Sequence, residues 1–201
     1  MKQILLLLAV VALVGCGEQK QTTTEGPTPT TNTNKVEGTT EKPVKKLTAK
    51  EAAEVMAWEI GTWEVKGRGM PAGGEPHVIE MTMEARWKEA GKSVEYKFTM
   101  EESGETVSYF GHKKYDADKG VFIYRSKWGE NPETTSHERY NPNTRTFYSE
   151  SLPATPPTGI KSTAITKRIE DDKTEQKLEV REGGRLVYSH MNVSIRIGNQ
   201  D

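Results

Sequence analysis

The feature that most restricts the fold is a period of two that sets in after residue 78. Ile79, Met81, Met83, Ala85 and Trp87 alternate with Glu80, Thr82, Glu84 and Arg86. After Glu89-Ala90-Gly91-Lys92 the alternation resumes, with Val94, Tyr96, Phe98 and Met100 set against Glu95, Lys97 and Thr99. Successive side chains of a strand point to opposite faces, so this is a half-buried hairpin and not a helix, whose apolar residues would recur at 3.6. Further strands are predicted at 62–67, 121–124, 147–148, 160–169, 175–181 and 186–197, with turns at 170–173 and 182–184. Short strands with turns at such spacing predict an all-β domain, a sandwich or a barrel. Closure removes exposed strand edges, so the expected architecture is an antiparallel up-and-down barrel of about 8–10 strands.

Two segments repeat one pattern. His112-Lys113-Lys114-Tyr115-Asp116-Ala117-Asp118 and His137-Glu138-Arg139-Tyr140-Asn141-Pro142-Asn143 both read His-x-x-Tyr-Asx-x-Asx, and each leads into an aromatic strand. Asp and Asn side chains bond the backbone two residues on and so form turns, which marks a meander. Ahead of the strands, Thr48-Ala49-Lys50-Glu51 has the form of a capping box, and Ala52, Val55, Met56 and Ile60 follow at helical spacing until Gly61.

The first 47 residues differ in kind. A lysine-led apolar run from Ile4 to Val14 ends at Leu13-Val14-Gly15-Cys16, which holds the chain's one cysteine. The run is too short to span a bilayer and has the form of a secretory leader. Residues 16–47 are rich in Thr, Pro, Gly, Asn, Lys and Glu, and Leu47 is nearly the only sizeable apolar side chain among them. Such a segment buries too little to offset its ordering entropy, so it is expected to be a disordered tether. The expected organisation is a leader at 1–15, a tether at 16–47 and one barrel domain at 48–201. With no second cysteine the domain must rely on an apolar core. A net charge of -1 with interspersed signs argues against a nucleic-acid partner.

Leu13-Val14-Gly15-Cys16 resembles the bacterial lipobox. That resemblance implies a lipoprotein cleaved before Cys16, acylated on its sulfur and anchored to an envelope membrane. Gly17 in place of Asp then implies the outer membrane, facing the periplasm, in a Gram-negative host. Gly61-Thr62-Trp63 after a short helix, with Arg196 in the last strand, resembles the opening and closing elements of the lipocalin and fatty-acid-binding superfamily, the calycins. This implies that Trp63 closes one barrel end with a basic side chain, Arg196, across its ring, both as structural residues beside Gly61. Gly61-x-Trp63 followed by Gly67-x-Gly69 is also similar to the start of the nitrobindin-like haem barrels, although two extra residues separate Trp63 from Gly67. There His190 would be the iron ligand, and haem is the one cofactor weighed.

Function in such barrels lies in the lumen, which holds side chains or a small ligand. Met81, Met83, Trp87, Phe98, Met100, Tyr109, Phe122, Trp128 and Tyr188, with Met70, are the candidate lining residues, although alternation alone does not say which face is the lumen. His77, His112, His137 and His190 are scattered, without the spacing that presets a metal site. There is no Gly-x-Ser-x-Gly elbow, and the resemblance commits the lone cysteine to lipid, so no nucleophile stands out. Carboxylates read as a solvated face, and residues 152–159 as a strand connection or a lid. The expectation is a lipid-anchored barrel binding a small hydrophobic molecule without catalysis. The rival is an interaction lipoprotein with a filled barrel.

Overall fold

The computed structural model describes residues 46–127, 132–153 and 159–198. One helix, α1 (Ala49–Glu59), precedes ten strands: β1 (Gly61–Pro71), β2 (His77–Glu89), β3 (Ser93–Glu102), β4 (Glu105–Asp116), β5 (Val121–Lys127), β6 (Thr134–Asn141), β7 (Thr146–Ser151), β8 (Ile160–Glu170), β9 (Lys173–Glu182) and β10 (Arg185–Gly198). Each strand pairs antiparallel with its chain neighbours, and β1 pairs with both β2 and β10, so the sheet closes into an up-and-down barrel. Strand pairing runs past the predicted ends. Strand β1 continues through Gly67 and Gly69, β5 through Ser126, and β7 through Ser149 and Ser151. Small or polar residues there face inwards, so the backbone ladder persists where the apolar alternation stops.

Helix α1 starts as the capping box requires: Thr48 Oγ1 accepts from Glu51 N at 3.2 Å and Thr48 N donates to Glu51 Oε2 at 2.7 Å. Its Ala52 and Met56, each 1% exposed, enter one end of the barrel and pack with Ala85, Val94, Tyr96, Phe122 and Phe147. The helix hands over to β1 through Gly61, whose φ of +132° suits glycine, and where a Cβ would lie 2.7 Å from Gly198 O.

The repeated Tyr-Asx pattern forms the turns β4–β5 and β6–β7. Asp116 Oδ1 accepts from Lys119 N, and Asn141 Oδ1 accepts from Asn143 N. In each copy the tyrosine sits opposite a phenylalanine on the next strand, Tyr115 beside Phe122 and Tyr140 beside Phe147, with ring centroids 5.0 and 4.7 Å apart. The two copies meet where Phe122 and Phe147 lie 5.6 Å apart. The repeat is thus an aromatic layer under the helix. Lys46 and Leu47, which composition assigns to the tether, lie on this end: Tyr115 Oη donates to Leu47 O at 2.8 Å and Lys46 Nζ to Asp118 O at 2.7 Å. Leu47 has apolar surface to bury there, which the residues before it lack.

Candidate functional site

Cross-strand register fixes which side chains face the interior. Starting from buried Trp63 and Val65, the inward set runs through Met83 and Met81, Phe98, Tyr109, Ser126, Ser136, Ser149, Ala164, Leu178 and His190 back to β1. About eight strands give an interior that side chains just fill; ten give a wider one. The helix fills only one end of it.

At that end Trp63 is 2% exposed. The Arg196 guanidinium lies 4.5 Å above its ring, and a second stack places Arg168 4.5 Å above Trp58. The purpose of the pair is visible in the helix terminus. The last carbonyls of a helix lack intrahelical donors; here Trp63 Nε1 donates to Glu59 O at 2.9 Å, and Arg196 donates to Ile60 O at 2.6 Å and to Trp58 O. A cation at the negative end of the helix dipole is favourable. Gly61, Trp63 and Arg196 therefore latch α1 into the barrel.

Above the latch sits a buried ionic group. Lys113, 5% exposed, places Nζ 2.7 Å from Glu59 Oε1, 2.8 Å from Glu138 Oε2 and 4.5 Å from the Phe147 ring centroid. Tyr96 Oη donates to Glu59 Oε2 at 2.5 Å. Burial disfavours the ammonium, but Glu138 and Glu59 together outweigh it and hold its pKa above the ordinary lysine value. Burial also raises the Glu138 pKa, with Lys113 opposing, and raises that of Tyr96, helped by Glu59. Two carboxylates around one ammonium tie α1, β4 and β6 together.

Beyond this floor many of the inward residues are only half-buried. Met81, Met83, Phe98, Met100 and Val107, with Tyr109 5% exposed, make an apolar wall on β2–β4. The facing wall on β8–β10 is neutral and polar. Gln176 Oε1 accepts from His190 Nε2 at 3.1 Å and Asn192 Nδ2 at 3.2 Å, while Gln176 Nε2 donates to Thr166 Oγ1 at 3.0 Å. This network assigns the proton of His190 to Nε2. Burial first, and His77 next, push the His190 pKa down to about 4, so its ring is neutral at pH 7. Next to it, Tyr188 Oη lies 3.4 Å from His77 Nε2, the two rings stack with centroids 5.9 Å apart, and His77 Nδ1 is buried without a hydrogen-bond partner.

Gly67 and Gly69 make this wall possible. A Cβ on Gly69 would lie 2.2 Å from His77 Cε1 and 2.4 Å from Tyr188 Oη, and one on Gly67 would lie 2.3 Å from Met191 O. The Gly-x-Gly pair thus vacates the inner face of β1 for side chains of β2 and β10. His190 Nε2, the nitrogen a haem iron would take, is engaged by Gln176 Oε1 at 3.1 Å, so ligation there would replace that bond. Among the described residues no cluster of three or more His, Cys, Asp or Glu is arranged to hold a metal ion.

The predicted lining residues divide by height. Met81, Met100, Tyr109 and Tyr188 sit along the open part, while Met83 and Phe98, also facing inwards, pack against the helix-end core. Phe122, 1% exposed, belongs to the helix-end core, and Trp87 packs against that core. Met70 faces outwards, 51% exposed. Cys16 and Trp128 lie outside the described residues. Sequence reading missed Lys113, Glu59, Glu138 and the Gln176–His190–Asn192 network. Lys113 stands in phase with Tyr109, Gly111 and Tyr115 on β4, which is the mark of an inward position. On the outer face, a groove of about 300 Å³ is lined by Arg86, Glu95, Lys97, Phe110, His112 and Arg125 among others. Arg86 is paired with Glu95 at 2.5 Å, and the remaining lining carries more cations than carboxylates.

No family profile matches the sequence, and no curated protein does. Among solved structures, an S-type phycobiliprotein lyase from Guillardia theta is similar with a TM-score of 0.55 at 7% identity, over 73% of this chain and 93% of that one. A protein of unknown function from Nostoc punctiforme is similar with a TM-score of 0.48 at 10% identity, over 70% of this chain and 48% of that one. At this identity the likeness to the lyase is one of fold: both are β-barrels.

Proposed function

We propose that this protein is a lipid-anchored component of the bacterial cell envelope whose barrel holds a small hydrophobic molecule in its lumen without transforming it. The observation that carries the reading is the contrast in burial along the inner wall. Side chains under α1 are sealed from solvent, whereas Met81, Met83, Phe98 and Met100 face inwards and remain half-buried. Half-buried apolar side chains on an inward face are what the wall of a ligand pocket offers, with a few placed polar groups for orientation. Methionines adapt their shape to such ligands. The lipobox-like Leu13-Val14-Gly15-Cys16 supports the anchor, since a modified cysteine carrying two or more chains anchors stably, and the low-complexity stretch that follows supports a domain held off the membrane.

The test is a titration of the full chain with Nile red, a neutral hydrophobic dye. Saturable blue-shifted emission that Phe98→Glu abolishes is expected; emission unchanged by Phe98→Glu contradicts the lumen site. For the anchor, incorporation of an alkyne-tagged palmitate that disappears in Cys16→Ser is expected, and label retained in that variant contradicts it.

A second reading, an interaction protein whose outer face meets another envelope component, draws on β10, where Met191, Ile195 and Ile197 are 66%, 44% and 62% exposed on the outside. It predicts no saturable dye binding inside the barrel, so the same titration separates the two.

A further inference from the structure

We infer that the molecule held in the lumen is a neutral amphiphile, an apolar body with an uncharged hydroxyl or carbonyl headgroup, and that the carboxylic acid of the same chain is rejected. This rests on the reading of the lumen as a ligand site and deepens it.

Charge is distributed unevenly along the inner wall. Among the described residues the cations that take inward positions below the rim are Lys113, Arg168 and Arg196, all three at the helix end and already committed; at the open rim itself Arg185 stands opposite Glu182. Lys113 serves Glu59 and Glu138. Arg168 donates to Asp171 Oδ1 at 2.6 Å and covers Trp58. Arg196 caps the helix carbonyls and covers Trp63. None is spare for an anion. At the other end β3 and β4 bring Glu102 opposite Glu105, and Glu102 Oε1 accepts from Tyr109 Oη at 2.6 Å, so the rim next to the apolar wall is negative. A carboxylate drawn in between would lose its water and meet no counter-ion, which is costly, whereas a neutral hydroxyl loses little if it gains a hydrogen bond.

The polar wall supplies that bond. Gln176, Asn192 and Thr166 present uncharged donors and acceptors of both kinds, and His190 joins them as a neutral imidazole. A hydroxyl can exchange into such a network in either sense, as donor or acceptor. Across from it Met81, Phe98 and Met100 offer only apolar contact. The two walls thus match a molecule with one neutral polar end and an apolar remainder.

The test loads the full chain with Nile red and displaces it with 1-dodecanol or with dodecanoate at pH 7.5, both below their aggregation limits. The alcohol is expected to displace the dye at a concentration at least about tenfold lower than the acid. Gln176→Leu combined with Asn192→Leu should bring the two within about threefold, and Leu178→Lys, which sets an ammonium next to His190 on the same wall, should reverse the order. Equal displacement, or a stronger acid, in the unaltered protein overturns the neutral headgroup while leaving the lumen a ligand site. If Nile red itself does not bind, both readings fall. Melting profiles of the variants separate loss of fold from loss of preference, and Leu178→Lys gives a gain that misfolding cannot mimic.

Discussion

The helix end and the open half of the barrel are made by the same ten strands, yet they handle polar groups in opposite ways. Under α1, three charged side chains are buried with short ion pairs, two arginines cover two tryptophans, and aromatic rings fill the remaining space. On the β8–β10 wall of the open half the hydrogen-bonded polar residues are neutral and half-buried, and they face a wall of methionine and phenylalanine. The difference separates two duties on one sheet. Stability is concentrated where packing is complete, and the other half is left adaptable.

Substitutions should therefore have effects that depend on height along the barrel. The largest is expected from Lys113→Met, which strands Glu59 and Glu138 as buried charges without a partner and should cost about 3–5 kcal/mol in urea denaturation. Removing all three charges, Glu59→Gln with Lys113→Met and Glu138→Gln, should recover much of that loss; no recovery would mean that the ionic group is not the cause. Next comes Met56→Ala in the sealed core, at about 2–5 kcal/mol. Arg196→Met should cost about 1–3 kcal/mol through the lost hydrogen bonds to the helix end and the lost ring contact, with fraying of α1 visible in amide exchange.

A pH dependence sharpens the contrast. The folded-state pKa of His190 is depressed from 6.5 to about 4, so between those values the unfolded chain binds a proton that the folded one does not. Its stabilising contribution is complete above pH 6.5 and is lost as the pH falls towards 4. With allowance for water in the lumen, the difference between the unaltered protein and His190→Gln should shrink by roughly 1–2 kcal/mol across that window. A difference that stays flat with pH would put His190 in contact with bulk solvent. The smallest effect is expected from Met100→Ala, which removes the same side chain as Met56→Ala but should cost less than about 1 kcal/mol, because Met100 is half-buried and Met56 lies in a sealed core.

Much of the fold was legible because it is written locally. The hairpin of β2 and β3 follows from the alternation between Ile79 and Met100, the helix start from Thr48 and Glu51, and the turns β4–β5 and β6–β7 from the repeated Tyr-Asx pattern. The site was less legible. Period two is symmetric, so it marks two faces without naming the lumen, and on β6–β10 many of the inward residues are Ser, Thr, Gln, Asn and His, which blur the contrast with the outer face. Lys113 and Glu138 read as solvated charges because their burial depends on Glu59, which lies 54 residues from Lys113 in the chain. Tyr188 and His77 come together across β1, where Gly69 matters by the space it leaves.

The most direct test of the two-ended barrel uses the methionines as reporters, since they fall on all three surfaces: Met56 in the plug, Met81, Met83 and Met100 on the lumen, Met70 and Met191 outside. In a methyl-labelled full chain titrated with 1-dodecanol, the resonances of Met81, Met83 and Met100 should shift together and saturate while those of Met56, Met70 and Met191 stay in place. Saturable shifts at Met191, with the three lumen methyls unmoved, would place binding on the outer face and contradict the account.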